Sequence, residues 1–424
     1  MNVLLVSANT ERINMPTLPL GLGIIAAAVC RAGYAVRFVD LMDAGDPRSR
    51  IEKAIDGFAP KVIGVSIRNV DDQSSAATRF LLDSTREVIR VCRELSAVPI
   101  ILGGAGYSLF PESALEFVGA DMGIQGEGEA AFLSLLDRLS ENADPAGVPG
   151  LFVRGRGLQG VRGYIRCLDD WPMPKPGLFD TALFKDPTFH LPFQSRRGCP
   201  LGCSYCATAA IEGARIRTRS PKAVVGELRR WREAGVERVY FVDNTFNLPP
   251  AYAQALCEEL IKADLKLAWR CIFYPGKARA SLIRAMADAG CREVSLGFES
   301  GNPRVLAGMN KRFTPEDVRQ TVELLKDNGI RIMGFLLLGG PDETRRSVEE
   351  SLSFADSLDL EAGRVTAGIR IYPYTKLAEI ARAEGRVGPT DDLLRPRFYL
   401  RPEIEDWLRE TVREFVSTRT HWMG

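Results

Sequence analysis

Short apolar runs alternate with longer amphipathic stretches along the first third of the chain. Such runs, bounded by turn residues, are typical of buried strands, and the amphipathic stretches are typical of helices. Strands are predicted at residues 3–7, 35–40, 62–66, 100–104 and 121–124, and helices near 21–31 and 76–95 and from about Pro111 and Glu127. Five strands separated by helices predict a parallel, doubly wound sheet over residues 1–142, with ligands at the carboxyl ends of its strands.

Residues 143–185 are rich in Gly, Pro and Arg and have no clear hydrophobic period. This composition predicts a linker, with a small hairpin at residues 151–166.

The alternation resumes at Phe193, with strands predicted at residues 238–243, 268–272, 293–297, 331–338 and 364–371. One more strand before the cysteines makes six, which predicts a partial (β/α) barrel over residues 186–385. Ser220-Pro221 and Thr314-Pro315 each place a capping hydroxyl before a first-turn proline and so predict helix starts. Residues 386–424 are expected to form a C-terminal helical extension.

Charge and composition narrow the range of partners. The 55 basic and 54 acidic side chains nearly cancel, so neither a nucleic acid nor an anionic membrane is expected as a partner. There is no apolar run long enough to span a membrane and no export signal, so we expect a soluble, cytoplasmic protein with a small-molecule or peptide substrate. Six of the nine cysteines are scattered in apolar or helical contexts, and we interpret them as structural.

The other three cysteines, Cys199, Cys203 and Cys206, form a C-x3-C-x2-C loop directly after a predicted strand. Thiolates suit iron–sulfur centres, and three of them leave one metal position open, as catalytic sites require. The alternative is a zinc site or three incidental cysteines. Zinc would need a fourth ligand, for which only His190 is nearby.

This loop, with Tyr205 before its last cysteine, resembles the signature of the radical S-adenosylmethionine (SAM) superfamily, and the resemblance extends over about residues 193–377. It implies one 4Fe-4S cluster on the three cysteines, which also carry the catalysis, and SAM bound at the open iron. An electron donor such as flavodoxin or ferredoxin would reduce the cluster, which would cleave SAM to a 5'-deoxyadenosyl radical.

The resemblance also implies SAM contacts from strand-end residues of the barrel. The implied residues are Tyr205, Asp243, Asn244, Glu299, Lys311 and Arg370. The alternatives are a carboxylate stabilised by a helix N-terminus for Glu299, a solvated surface charge for Lys311 and a structural ion pair for Arg370.

In the first lobe, glycines follow the fourth and fifth predicted strands, where they let a backbone approach a flat ligand or a phosphate closely. Together with residues 16–23 they resemble a Rossmann-like cobalamin-binding domain, which implies contacts from the following residues: Leu20, Gly21, Gly103, Gly104, Gly126, Glu127 and Gly128. The alternative is a nucleotide-type fold that has lost or changed its ligand.

This lobe contains no histidine, so cobalamin would bind without a lower-axial histidine from it. Our hypothesis is that Arg68 or Asn69, after the third strand, lies beneath the cobalt. The alternative is that Arg68 pairs with Asp71 or Asp72.

The combined resemblance implies a cobalamin-dependent radical SAM C-methyltransferase, which moves a methyl group from SAM via methylcobalamin to an unactivated carbon. One alternative uses the same cofactors for cyclisation, rearrangement or oxidation. Another is a cobalamin-independent radical SAM enzyme whose first lobe is an interaction module.

Overall fold

Strands and helices alternate from the start of the chain in the computed structural model, which describes residues 1–11, 17–42, 45–276 and 278–424. The first sheet contains β1 (Asn2–Ser7), β2 (Ala35–Asp40), β3 (Val62–Ser66), β4 (Ile100–Gly103), β5 (Met122–Ile124), β6 (Leu151–Val153) and β7 (Gly157–Leu158). Its order is β2-β1-β3-β4-β5-β6-β7. The first five strands are parallel, as predicted, and the predicted hairpin adds β6 and β7 antiparallel at one edge.

Helices cover both faces of this sheet, because its strands are apolar on both sides. They are α1 (Leu20–Arg31), α2 (Pro47–Ile55), α3 (Leu82–Leu95), α4 (Ala105–Leu109), α5 (Pro111–Val118) and α6 (Glu129–Ser140). Buried residues of α1 and α6 share one core, and those of α2, α3 and α5 share the other.

The helix predicted near residues 76–95 begins only at Leu82. The preceding segment is a loop in which the Asp72 carboxylate accepts the backbone N–H of Arg79 at 3.1 Å and Asp71 bridges to Phe80. The short helices α2 and α4 were not predicted.

The second sheet contains β8 (Leu191–Phe193), β11 (Arg238–Phe241), β12 (Ala268–Phe273), β13 (Cys291–Glu299), β14 (Arg331–Leu338), β15 (Ala362–Ala367) and β18 (Trp422–Met423). All are parallel, in the order β18-β15-β14-β13-β12-β11-β8. Two small antiparallel pairs join β9 (Arg196–Arg197) to β10 (Arg217–Thr218) and β16 (Ile369–Arg370) to β17 (Phe398–Tyr399).

Nine helices lie within the described residues of the second half of the chain, and two of them begin where the sequence predicts. The nine are α7 (Thr208–Glu212), α8 (Pro221–Glu233), α9 (Pro250–Ala263), α10 (Ala280–Asp288), α11 (Pro303–Gly308), α12 (Pro315–Asp327), α13 (Arg345–Ser357), α14 (Lys376–Ala383) and α15 (Glu405–Ser417). Ser220 and Thr314 cap α8 and α12 through their hydroxyls, as predicted. Three 3-10 helices (Leu168–Asp170, Pro176–Leu178 and Thr181–Lys185) lie in the linker.

The structure differs in two details from the predictions for the end of the chain. The strand predicted at residues 364–371 breaks at Gly368, where φ is +88°, into β15 and β16. The predicted helical extension contains α15 but also β18, which adds a seventh strand to the six predicted for the barrel. Buried side chains between Ile369 and Tyr399, including those of α14, pack into a hydrophobic core of the first lobe. They therefore join the two lobes.

No helix within the described ranges combines the length and the apolar character that a membrane crossing requires.

Candidate functional site

The cysteine loop follows β9 and is fixed by backbone hydrogen bonds to neighbouring segments. The N–H of Cys199 donates to the carbonyl of Gly213 at 3.1 Å, and that of Ser204 donates to Met309 at 3.0 Å. Gly198 has a φ of +89°, and a Cβ there would overlap the carbonyl of Arg215. The loop therefore needs a glycine at this position to pass so close to the 213–215 backbone.

The three loop cysteines are free thiols. Burial raises the pKa of Cys199 and of Cys203, and the neighbouring loop thiols raise both further. Across the described part of the chain, no three His, Cys, Asp or Glu side chains lie close enough to hold a single metal ion. Three thiolates on one short loop suit an iron–sulfur cluster, in which each thiolate binds its own iron.

Three of the predicted SAM residues lie together beside this loop. The Tyr205 hydroxyl donates to Oε1 of Glu299 at 2.9 Å, and Nζ of Lys311 lies 3.1 Å from the same oxygen and 5.2 Å from the centre of the Tyr205 ring. Glu299 is the last residue of β13 and has a φ of +60°. A carboxylate and an ammonium group therefore lie side by side at the carboxyl end of the barrel strands, where ligands bind.

Burial and charge act in opposite directions on Lys311. Burial lowers its pKa, but the Glu299 carboxylate and Tyr205 raise it, so the pKa lies well above its usual range. The side chain is only 6% exposed, so Lys311 is not the solvated surface charge of the alternative interpretation. Burial and the Glu299 charge also raise the pKa of Tyr205.

Asp243 and Asn244, two further predicted SAM residues, are engaged by protein groups in the structure. Asp243 is fully buried and accepts the backbone N–H groups of Ser195 and Arg196 at 2.7 and 3.0 Å, and its Oδ2 lies 3.2 Å from Nε of Arg196. Asn244 donates to Glu212 at 2.7 Å. The sequence did not indicate these contacts, because they join residues that are far apart along the chain. Asp243 lies two residues after the end of β11 and holds the segment before the cysteines in place.

For Arg370, the structure favours the predicted alternative, a structural ion pair. Its Nε donates to Asp71 at 2.9 Å, and its two terminal nitrogens donate to the carbonyls of Ile371 and Leu393 at 2.6 and 2.9 Å. All three guanidinium nitrogens are therefore engaged by protein groups. The pair ties β16 to the loop after β3 in the first lobe.

A cavity of about 1160 Å³ lies between the two lobes. Its wall includes Tyr205, Cys206 and Glu299 from the barrel and Arg68 and Asn69 from the first lobe. Lining residues that the sequence did not reveal are Tyr240, Ser295, Phe335, Arg364, Tyr372, Arg409, Val412, Arg413 and Val416. The last four lie on α15 at helical spacing, a signal that could have been found; the others lie on buried strands or loops with no such period.

A second cavity, of about 390 Å³, lies at the carboxyl edge of the first sheet. Its wall includes all seven predicted first-lobe residues: Leu20, Gly21, Gly103, Gly104, Gly126, Glu127 and Gly128. A Cβ at Gly21 or Gly103 would meet no atom within 4 Å, whereas Gly104 has a φ of +102°. We call this cavity the glycine slot. Its glycines leave room for an extended ligand that enters between the strand ends and α1. Pro16, which also belongs to the resemblance, lies outside the described residues.

Glu127 lies on the wall of this slot, but its charge is already paired. Its carboxylate lies 2.6 Å from Nη1 of Arg217 and 3.6 Å from Nη1 of Arg197, and it accepts the N–H of Ile165 at 2.6 Å. Glu127 therefore connects the slot to the segment that carries the cysteines.

Arg68 lies on the walls of both cavities, together with Ala105 and Ile211. The alternative pairing of Arg68 with Asp71 or Asp72 was wrong, because Asp71 pairs with Arg370 and Asp72 with Arg79. Arg68 forms no hydrogen bond or ion pair within the described ranges. Partial burial in the cleft lowers its pKa.

Comparisons with known proteins agree with these two sites. Residues 194–355 match the model of the radical SAM superfamily, and residues 6–136 match that of the B12 binding domain. An uncharacterised methyltransferase of Pyrococcus horikoshii is 28% identical, over 98% of this chain and 92% of its own length. Tryptophan 2-C-methyltransferase of Streptomyces laurentii is 25% identical, over 88% of this chain and 73% of its own.

A solved structure extends the likeness to the whole fold. The radical SAM methyltransferase TsrM from Kitasatospora setae, with cobalamin and a 4Fe-4S cluster bound, aligns with a TM-score of 0.81 at 25% identity. The alignment covers 90% of this chain and 75% of that one.

Proposed function

Because the chain is a radical SAM enzyme with an N-terminal B12 binding domain, we propose that it is a C-methyltransferase that acts on a small molecule held between its lobes. When bound, the cluster supplies the electron that cleaves SAM, and cobalamin carries the methyl group. Two relatives that are similar over most of this chain, an uncharacterised methyltransferase and a tryptophan 2-C-methyltransferase, support methyl transfer as the reaction class.

The observation that carries the proposal is that the two cavities are adjacent and share part of their walls. Arg68, Ala105 and Ile211 line both the glycine slot and the cavity between the lobes. Ligands in the two spaces would therefore be neighbours, which direct transfer of a group between them requires.

We assign the cluster and SAM to residues on the barrel side of the large cavity. Cys199, Cys203 and Cys206 would hold the cluster, with Cys206 on the cavity wall. Glu299 and Lys311 beside them suit the ribose hydroxyls and the charged end of SAM. The paired state of Glu299 and Lys311 keeps both charges in place without SAM, so the site is set before SAM binds.

In the proposed arrangement, either Arg68, on the walls of both cavities, or Asn69, on the wall of the larger one, would lie beneath the cobalt. A cation in this position would not donate electrons to the metal as a histidine would. The first lobe supplies no histidine for that role.

The proposal is tested by anaerobic reconstitution with iron, sulfide and hydroxocobalamin, followed by reductant and SAM labelled with carbon-13 in its methyl group. Mass spectrometry then measures the label on the protein-bound cobalamin. A labelled cobalamin is expected. Retained but unlabelled cobalamin would favour cyclisation, rearrangement or oxidation instead, and failure to retain cobalamin would favour an interaction module.

A further inference from the structure

An arginine-rich segment of the linker covers the outside of the cysteine loop. The Tyr164 ring lies against Gly213, since a Cβ at Gly213 would stand 3.1 Å from it. The carbonyl of Gly213 in turn accepts the N–H of Cys199 at 3.1 Å. Tyr164 is 38% exposed, so a single residue separates this surface ring from the first cluster cysteine.

The segment is held firmly in this place. Nη1 of Arg162 donates to the carbonyl of Ala210, and the N–H and carbonyl of Ile165 are bound by Glu127 and Arg217 at 2.6 and 2.8 Å. The path from the surface to the loop is therefore part of the folded structure.

The exposed side chains of residues 161–166 are cationic, apolar or aromatic, and the exposed carboxylates of Asp169 and Asp170 follow three and four residues after Arg166. Arg166 and Arg215 are exposed and have no acidic partner in the described part of the chain. Arg162 is half-buried, donates to the Ala210 carbonyl and lies over the Tyr164 ring, and it too has no acidic partner there. Val161 is 85% exposed beside them. The nearby carboxylates of Glu127 and Glu212 point inward, to Arg217 and to the N–H of Gly198. We call Val161, Arg162, Tyr164, Arg166 and Arg215 the entry surface.

We propose that the entry surface docks a small acidic flavoprotein of the flavodoxin type, which delivers electrons to the cluster past Tyr164. This rests on the proposed function, because a cluster that gives electrons to SAM or cobalamin must be reduced again. In the step, the reduced flavin loses one electron and the oxidised cluster gains it, and no bond forms or breaks.

Charge and shape favour this occupant. An acidic rim complements three arginines, and the exposed apolar edge of a flavin complements Val161 and Tyr164. Redox complexes form through small, transient interfaces, so four residues around the Tyr164 ring are a sufficient centre.

The test compares two donors on the reconstituted full-length enzyme. Cluster reduction is followed by stopped-flow absorbance, with flavodoxin hydroquinone as the protein donor and dithionite as the small donor. In the double variant Arg166→Glu/Arg215→Glu, the second-order rate constant with flavodoxin should fall about tenfold or more at low salt. This difference should shrink as salt is raised, and the rate with dithionite should stay unchanged.

The matched control is Arg284→Glu, an exposed arginine on α10, which should leave both rates unchanged. If the double variant binds less cluster than the wild type, Val161→Asp provides an independent test of the entry surface. This variant should slow cluster reduction by flavodoxin and leave reduction by dithionite unchanged. Unchanged flavodoxin rates in the variants would overturn the proposal, as would a loss seen only with a reduced ferredoxin. Failure of the proposed function would look different, because it would appear as unlabelled or unretained cobalamin while the cluster was still reduced by dithionite and by flavodoxin.

Discussion

Nη2 of Arg197 lies 2.6 Å from Oε1 of Glu129, and both side chains are buried. Arg197 stands two residues before Cys199, and Glu129 begins α6 on the wall of the glycine slot. The pair therefore fixes the cluster loop against the first lobe and sets how the two cofactor sites lie relative to each other.

Arg197→Gln should destabilise the protein strongly, because it leaves the buried carboxylate of Glu129 without its main partner. The expected loss in the free energy of unfolding is about 3–5 kcal/mol. Urea unfolding of the apoprotein measures it. Arg346→Gln is the control, because Arg346 is 87% exposed and pairs with Glu350 on the surface, so its loss should stay below about 1 kcal/mol. Similar losses in both variants would show that the buried Arg197–Glu129 pair contributes no more to the free energy of unfolding than a surface pair does.

Gly103→Ala should fold normally and bind cobalamin more weakly. A methyl group at Gly103 would meet no protein atom within 4 Å, so it would extend into the slot that we assign to the ligand. We expect cobalamin affinity to fall at least about tenfold, which corresponds to about 1.4 kcal/mol. Equilibrium dialysis with hydroxocobalamin measures it. Gly226→Ala on α8, which also meets no atom within 4 Å, should leave the affinity unchanged.

Glu299→Gln should weaken SAM binding, because the neutral amide is a poorer acceptor for ribose hydroxyls and leaves buried Lys311 without a counter-charge. We expect an increase of about tenfold or more in the Kd, in line with the ~1.5–3 kcal/mol of a charged hydrogen bond. Calorimetric titration of the reconstituted protein with SAM measures it. Glu293→Gln near the opposite end of β13 is the matched control, and an equal effect of both changes would contradict the assignment.

The sequence could predict the elements because apolar periodicity is a local property. The strand at residues 331–338 was predicted to the residue, and the cysteine spacing indicated the cluster loop without any structure. The glycines at 103–104 and 126–128 were predictable for the same reason, since each follows a strand end.

Roles that depend on long-range contacts were not predictable. Asp243 and Arg370 follow strands as SAM ligands would, but buried partners distant in sequence, Arg196 and Asp71, engage them. The α15 residues could not be assigned to the cavity wall from the sequence, because the position of the tail beside the barrel depends on β18. This strand has only two residues, too few to show a hydrophobic pattern.

Stability should fall with rising pH because of Glu343, which lies buried in the turn after β14. Its Oε2 accepts the N–H groups of Gly339 and Gly340 at 2.6 and 3.1 Å, while Oε1 has no partner within the described ranges. Burial raises the pKa of Glu343 from about 4.5 to about 7. Because the folded state holds the proton more tightly than the unfolded state, the stability present below the ordinary pKa is lost as the pH rises to about 7.

The expected loss across this window is about 3 kcal/mol, from ~1.4 kcal/mol for each pKa unit. Urea unfolding of wild type and Glu343→Gln at pH 5, 6, 7 and 8 measures it. The variant keeps a carbonyl acceptor for both glycine N–H groups and does not titrate, so the stability of the wild type relative to the variant should fall from pH 5 to 7 and then level off. Parallel curves for the two proteins would mean that Glu343 is ionised in the folded state throughout this range, and that water or a local movement reaches its second oxygen.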